Sequence, residues 1–187
     1  MTRWIRFFLV ALHSMWRPKL GPDDTSVLTA RVWPTDVDVS VANQSAYAVY
    51  FEMARVDLQL RTGLAKLAAK RGWSAPMASI NIQFRKPLKR FQKFKLSARI
   101  AYWDDKWIYV EHRIARHGKT IATALSKSLV IGREGRIAPF KLAAELGMSV
   151  ARPSMPPMIE KYLEAERLMH EHVDAWSSTL DSLESAG

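Results

Sequence analysis

Cysteine is absent from the 187 residues, which removes disulfides, thiolate metal sites and a cysteine nucleophile from any account of the chain. A reducing cytoplasm suits such a composition. The chain also lacks an apolar run of about 20 residues, the length a helix needs to cross a bilayer. Its most apolar stretch, residues 4–16, is shorter. No internal repeat and no metal-ligand spacing occurs. The histidines are His13, His112, His117, His170 and His172, and the last two are two positions apart, so on a helix they point in different directions and no metal site is expected. Acidic residues are in deficit, 18 against 28 Lys and Arg, leaving a formal charge of +10. That balance favours anionic partners: nucleic acid, an acidic membrane, an acidic carrier protein or a phosphorylated cofactor. A solvated basic surface without a ligand is the bland alternative.

What is present fills one domain. With 48% hydrophobic and 10% aromatic residues the chain can build a core, and whole-chain disorder is excluded. The stretch holding Trp4, Phe7, Phe8, Leu9, Val10, Leu12, Met15 and Trp16 is set among Arg3, Arg6, Arg17 and Lys19. A signal peptide would need small residues after the apolar stretch, where His13 to Trp16 stand. Two readings stay open: an interfacial helix on anionic lipid, or a helix docked on the body or on a partner subunit. Pro18, Gly21, Pro22, Asp23 and Asp24 break this segment off.

Residues 27–33 read as a strand ended by Pro34, followed by a loop and a helix with Asn43 as N-cap. Tyr47, Tyr50, Phe51, Ala54 and Leu58 recur at helical spacing, with Val49, Met53, Val56 and Leu60 on an adjoining face, so this helix is buried around most of its girth. Gly63 ends it, and a shorter helix over 64–71 ends at Gly72. The pattern then changes to period two through Ile80, Ile82 and Phe84, and again through Phe94, Leu96, Ala98, Ile100 and Tyr102. Turns at 104–106 and 117–119 connect three long strands into an antiparallel meander. Helices are expected over 139–146 and 158–176. The expected class is α+β, one sheet around one long apolar helix, with residues 1–25 as an apolar, basic N-terminal segment, 26–137 as the body and 138–187 as a C-terminal helical extension.

The run Arg31, Val32, Trp33, Pro34, Thr35, Asp36, Val37, Asp38, followed by Asn43, Tyr47, Tyr50, Glu52, Ala54 and Arg55, resembles the opening of hotdog-fold acyl-CoA thioesterases of the 4-hydroxybenzoyl-CoA thioesterase type. Phe84 to Leu88 and the Trp103, Asp104, Asp105, Lys106, Trp107, Tyr109 run are similar to thioesterase-like proteins related to thioesterase superfamily member six. The likeness covers roughly residues 27–135. Between Asp38 and Tyr47 the chain is one residue shorter than the family pattern; Ser40, Val41 and Ala42 stand where a Gly-His pair is expected, and Gln44 and Ser45 replace the second asparagine and its neighbour. The resemblance implies a hotdog fold, thioester hydrolysis without a cofactor, a homodimer or homotetramer with sheets joined edge to edge, and an acyl tunnel between subunits.

Thioester cleavage needs a carboxylate to attack the carbonyl or activate water, and donors for the oxyanion. Asp38 lies before a helix whose first amides, those of Gln44, Ser45 and Ala46, lack helical partners and sit at the positive end of its dipole. The expected catalytic set is therefore Asp38 as base or nucleophile, Asn43, Gln44 and Ser45 at the helix entrance, and Glu52 as a second carboxylate. Capping of loop amides is the structural alternative for Asp38. Asp36 is expected to face solvent or cap the loop, and Glu52 to pair with Arg55. Arg85, Lys86, Lys89 and Arg90 lead the densest basic run, which continues to Lys93 and Lys95 and is interleaved with Phe84, Phe91 and Phe94. It is expected to hold the phosphates and adenine of coenzyme A, or an acidic acyl carrier protein. The rival to hydrolysis is a non-catalytic acyl or lipid-binding protein held on an anionic membrane by residues 1–20. Nucleic acid ranks last as a partner, for want of any nucleic-acid motif. The expected location is cytoplasmic, free or on a membrane surface.

Overall fold

The computed structural model describes residues 3–148 and 151–184. It divides into a unit of residues 1–152 and a second unit of residues 153–187. The first holds α1 (Arg3–Met15), β1 (Ser26–Arg31), α2 (Gln44–Arg61), α3 (Leu64–Arg71), β2 (Met77–Phe84), β3 (Lys93–Trp103), β4 (Ile108–Arg116), β5 (Lys119–Ser128), the short β6 (Val130–Gly132) and β7 (Gly135–Ile137), and α4 (Pro139–Glu145). In the second lies α5 (Pro157–Glu184).

One antiparallel five-stranded sheet has the order β1-β3-β4-β5-β2. The β3-β4-β5 meander was legible because alternation and short turns coincide; its last turn places His117 (φ 49) and Gly118 (φ 75) both in the left-handed region, as a tight two-residue hairpin requires. β2 does not pair with β3, its neighbour in sequence, but crosses to the far edge beside β5. This crossing leaves residues 85–92 as a connection over the N-terminal end of α2. The β6-β7 hairpin corrects the expectation that the chain turns directly from residue 135 into a helix: three-residue strands are too short to show a period.

α2 fills the concave side of the sheet. Tyr50, Phe51, Ala54 and Leu58 are buried against Phe94, Leu96, Ala98 and Ile114, the stripe that helical spacing and strand alternation each give separately. The remaining flank of α2 is covered by α1, whose Arg6, Val10 and Ser14 recur every four residues and turn inward. Docking on the body is thus realised for one face of α1. Its other face carries Trp4 (76% exposed), Phe8 (68%) and Met15 (76%), with Ile5, Leu9 and Leu12 also open. Among the described residues no helix is long and apolar enough to cross a membrane, and no His, Cys, Asp and Glu cluster could hold a metal ion.

Candidate active site

The connection from β1 to α2 makes two turns with opposite roles. In the first, Pro34–Asp36 forms a single 3-10 turn that brings Asp36 inside the protein. Asp36 is buried, and its carboxylate accepts from the Trp33 amide (2.9 Å) and the Tyr50 hydroxyl (2.7 Å) while pairing with the Arg6 guanidinium (2.7 Å). Burial, and then the hydrogen bond to that carboxylate, push the Tyr50 hydroxyl well above its ordinary range, so it stays a donor. The capping half of the expectation for Asp36 holds; solvent exposure does not, because α1 supplies a counter-charge that local sequence cannot reveal.

The second turn is exposed from residue 38 to 41 and is bridged to the 85–92 connection between Val41 and Lys89. Val37 and Ala42 bridge each other, and the Asn43 amide donates to the Asp36 carbonyl (2.9 Å), closing residues 37–42 into a small flap. Asp38 is on this flap and exposed. Its Oδ1 accepts from Asn43 Nδ2 at 3.0 Å. The other side of the Asn43 amide, Oδ1, accepts from the Ala46 amide and the Ser45 hydroxyl, each at 2.8 Å. Asn43 is therefore both the N-cap of α2 and the link from Asp38 to the helix entrance. Its cap uses up the Ala46 donor, a correction to the expected trio; the Gln44 and Ser45 amides remain the unpaired donors of the first turn among the described residues.

Beside this entrance lies a cleft of about 350 Å³, walled by Ala42, Gln44 and Tyr47 on one side and Phe84, Arg85, Lys86 and Pro87 on the other. Tyr47 stitches the two sides together: its hydroxyl accepts from the Leu88 amide (3.1 Å) and donates to the Lys86 carbonyl (3.5 Å). Burial raises its pKa, opposed by the Leu88 amide. The Ala42 amide adds a third stitch, to the Leu88 carbonyl (2.8 Å). Gln44, Arg85 and Lys86 thus meet at one opening. Asp38 stands outside that wall and reaches it through Asn43.

Other expected residues are elsewhere. Glu52 forms a two-pronged ion pair with Arg55 (2.5 and 2.9 Å), and Arg55 also donates to the Ala75 carbonyl (3.2 Å), so this carboxylate is committed to structure as its spacing suggested. Lys89 and Arg90 are exposed but do not wall the cleft. Phe94 is 2% exposed and packs on Tyr50 at 4.8 Å between ring centroids, so it is core and offers no face to a base; Phe84 and Phe91 stay about half exposed. The Tyr47 stitch could not be read from sequence, since its partners are main-chain groups of a crossing segment. Nor could the role of Arg6, whose acid partner Asp36 lies beyond β1 in a different element.

Residues 32–163 match the thioesterase-like superfamily, covering the entrance loop, α2 and the whole meander. The chain belongs to the thioesterase-like superfamily. Its relatives include a protein of Saccharomyces cerevisiae named as a probable thioesterase, 39% identical over 61 residues, which are 33% of this chain and 26% of that protein. Protein THEM6 of Drosophila melanogaster is 23% identical over 165 residues, 86% of this chain and 83% of that one. Among solved structures, the DHNA-CoA thioesterase from Staphylococcus aureus superposes with a TM-score of 0.57 at 19% identity, covering 79% of this chain and 95% of its own. The likeness establishes the hotdog architecture that the sequence resemblance implied.

Proposed function

We propose that this superfamily member hydrolyses acyl-CoA or acyl-carrier-protein thioesters, with Asp38 as the catalytic carboxylate and the Gln44 and Ser45 amides as oxyanion donors. The observation that supports it most is the Asn43 link: one side chain holds an exposed carboxylate while capping the helix whose first residue, Gln44, walls the cleft. Asp38 takes a proton from water; the oxygen adds to the thioester carbonyl, and the developing oxyanion is held by the amides at the positive end of α2. Collapse of the tetrahedral species breaks the carbon–sulfur bond, and the thiolate leaves with the proton that Asp38 had taken, giving a free acid and a thiol. Arg85 and Lys86 face the same opening and suit the phosphates of coenzyme A or acidic side chains of a carrier.

The body that does this would be residues 26–137, acting as a homodimer or homotetramer joined through the outer strands of the sheet. A second reading, an acyl or lipid-binding protein resting on an anionic membrane, draws support from the open apolar face of α1. Thiol release across short, long and aromatic acyl-CoAs, run beside Asp38→Asn, decides between them. Turnover lost in the variant supports hydrolysis, whereas unchanged turnover removes Asp38 from the reaction. If no thioester is cleaved by either protein, the binding reading takes precedence.

A further inference from the structure

A second cavity, of about 480 Å³, lies between α1, β1 and α2 and shares no wall residue with the cleft at the helix entrance. Its volume is in the range of small-molecule sites, ~300–1,000 Å³. Much of its wall, including Arg6, Leu9, Val10, His13 and Leu28, precedes residue 32, where the superfamily match begins. One wall of the site, Arg6, Leu9, Val10 and His13, is supplied by α1.

Its lining divides by chemistry. Leu9, Val10, Leu28, Ala30 and Met53 supply an apolar wall, and the charged members, Arg6, Arg31 and Lys93, are all cationic, with no Asp or Glu among the lining residues. Arg31 and Lys93 are direct cross-strand partners in the β1-β3 register. Like charges placed opposite one another destabilise a strand pair unless something neutralises them. Neither has a carboxylate partner among the described residues; Arg31 donates only to the Phe91 carbonyl, at 3.3 Å. Deeper in the wall, Arg6 is 5% exposed and bound to Asp36 and Thr35, yet its Nε is buried with no acceptor. A buried guanidinium donor without a partner is costly. The cavity thus combines greasy walls with an unbalanced positive rim.

From this combination we infer that the cavity between α1, β1 and α2 binds a carboxylate carrying a single alkyl chain, with the chain against Leu9, Leu28 and Met53 and the head group near Arg31 and Lys93. The inference stands apart from the hydrolytic reading, since it uses neither Asp38 nor the amides of α2.

Calorimetric titration of the full chain with laurate tests it, with butyrate, dodecanol and carboxyl-labelled laurate as further probes. Laurate binds at one saturable site, and butyrate and dodecanol at least tenfold more weakly, because one lacks the chain and the other the charge. The paired substitution Arg31→Glu and Lys93→Glu, at exposed rim positions, weakens laurate at least tenfold. Ala30→Trp fills the cavity and abolishes binding with the fold checked by its thermal transition; the rim pair carries the test should that variant not fold. The carboxyl resonance of bound laurate stays in its ionised position to lower pH than that of free laurate. Equal affinity for dodecanol, indifference to the rim reversal, or unsaturable uptake overturns the inference and assigns binding to the outer face of α1. Asp38→Asn leaves laurate affinity within twofold; loss there with retention in the rim variant would put the chain in the hydrolytic cleft instead.

Discussion

The seam between α1 and α2 and the entrance of α2 treat a carboxylate in opposite ways. In the seam, Asp57 is fully buried and receives the Ser14 hydroxyl (2.6 Å), the Ser26 hydroxyl (2.5 Å), Arg17 (3.1 Å) and Arg61 (3.4 Å), so that α1, the following linker, β1 and α2 meet on one charge. Asp36, at the other end of the seam, is saturated by Arg6, Tyr50 and the Trp33 amide. At the entrance, Asp38 has one side-chain donor and open water. A buried carboxylate must be neutralised and fully hydrogen-bonded or it is expelled, which leaves it no capacity for chemistry. An exposed carboxylate tethered by a single amide keeps its lone pairs available and its position defined. Of the two aspartates one residue apart in the sequence, Asp36 is thus a clamp, and Asp38 is left free for the role proposed for it.

The comparison breaks most visibly at Asp38. Asp38→Asn keeps the shape of the side chain and removes its basicity, so kcat for thiol release from acyl-CoA falls about 10²–10⁴-fold, while the thermal midpoint moves little. A stability loss with unchanged kcat would make Asp38 a second clamp. The converse variant, Asp57→Ala, leaves two arginines and two hydroxyls facing an empty position; removing one partner from a buried ion pair costs about 3–5 kcal/mol. Urea unfolding measures that loss, and kcat per folded molecule is retained. Because Asp57 joins α1 to the body, limited proteolysis cuts between α1 and β1 faster in this variant.

How much of this was legible follows from the range of the forces involved. The meander, the cap at Asn43 and the two faces of α2 are set by neighbours within a turn or a strand, and local pattern carries them. The Glu52 and Arg55 pair was readable for the same reason, being one helical turn apart. Asp38 and the Gln44 and Ser45 amides could be named as candidates, but their link through both ends of the Asn43 side chain could not, since it depends on which way an amide points. Arg85 and Lys86 come to the entrance only because β2 crosses to the far edge of the sheet, a choice invisible in periodicity. Of the seam only the docking of α1 was open to reading, as one of two alternatives; its charges were not, since Arg6 and Asp57 look like ordinary helical surface charges until α1 is folded onto α2.

His112 sharpens the comparison with a third solution, a buried group kept neutral. It is 3% exposed, shares a 2.9 Å hydrogen bond with Ser126 and packs on Phe51. Burial, aided by the nearby positive charge of Arg55, lowers its pKa from 6.5 to about 3. The unfolded chain then binds a proton that the folded one refuses between those values, so stability is full above pH 6.5 and is lost as pH falls. This group accounts for about 2 kcal/mol of loss by pH 5. Unfolding free energies of the protein and of His112→Gln, measured across that interval, differ in slope by that amount; parallel slopes would mean that the imidazole is charged inside the fold.

The mildest test concerns the cations that share the entrance with Asp38. Arg85 and Lys86 are exposed, as Asp38 is, and exposed charges make contacts of about 1 kcal/mol or less each. Replacing both by alanine should therefore raise KM for acyl-CoA about tenfold, equivalent to about 1.4 kcal/mol, with kcat within twofold, because phosphate binding is the same in the ground and transition states. Lys89→Ala with Arg90→Ala, outside the cleft wall, should change KM much less. Added salt should weaken binding by the original protein and leave the Arg85 and Lys86 variant less affected, since screening acts on the charges that the variant has already lost. If the Lys89 and Arg90 pair instead had the larger effect on KM, the phosphates would bind beyond the cleft, and the opening beside Gln44 would serve the acyl group alone.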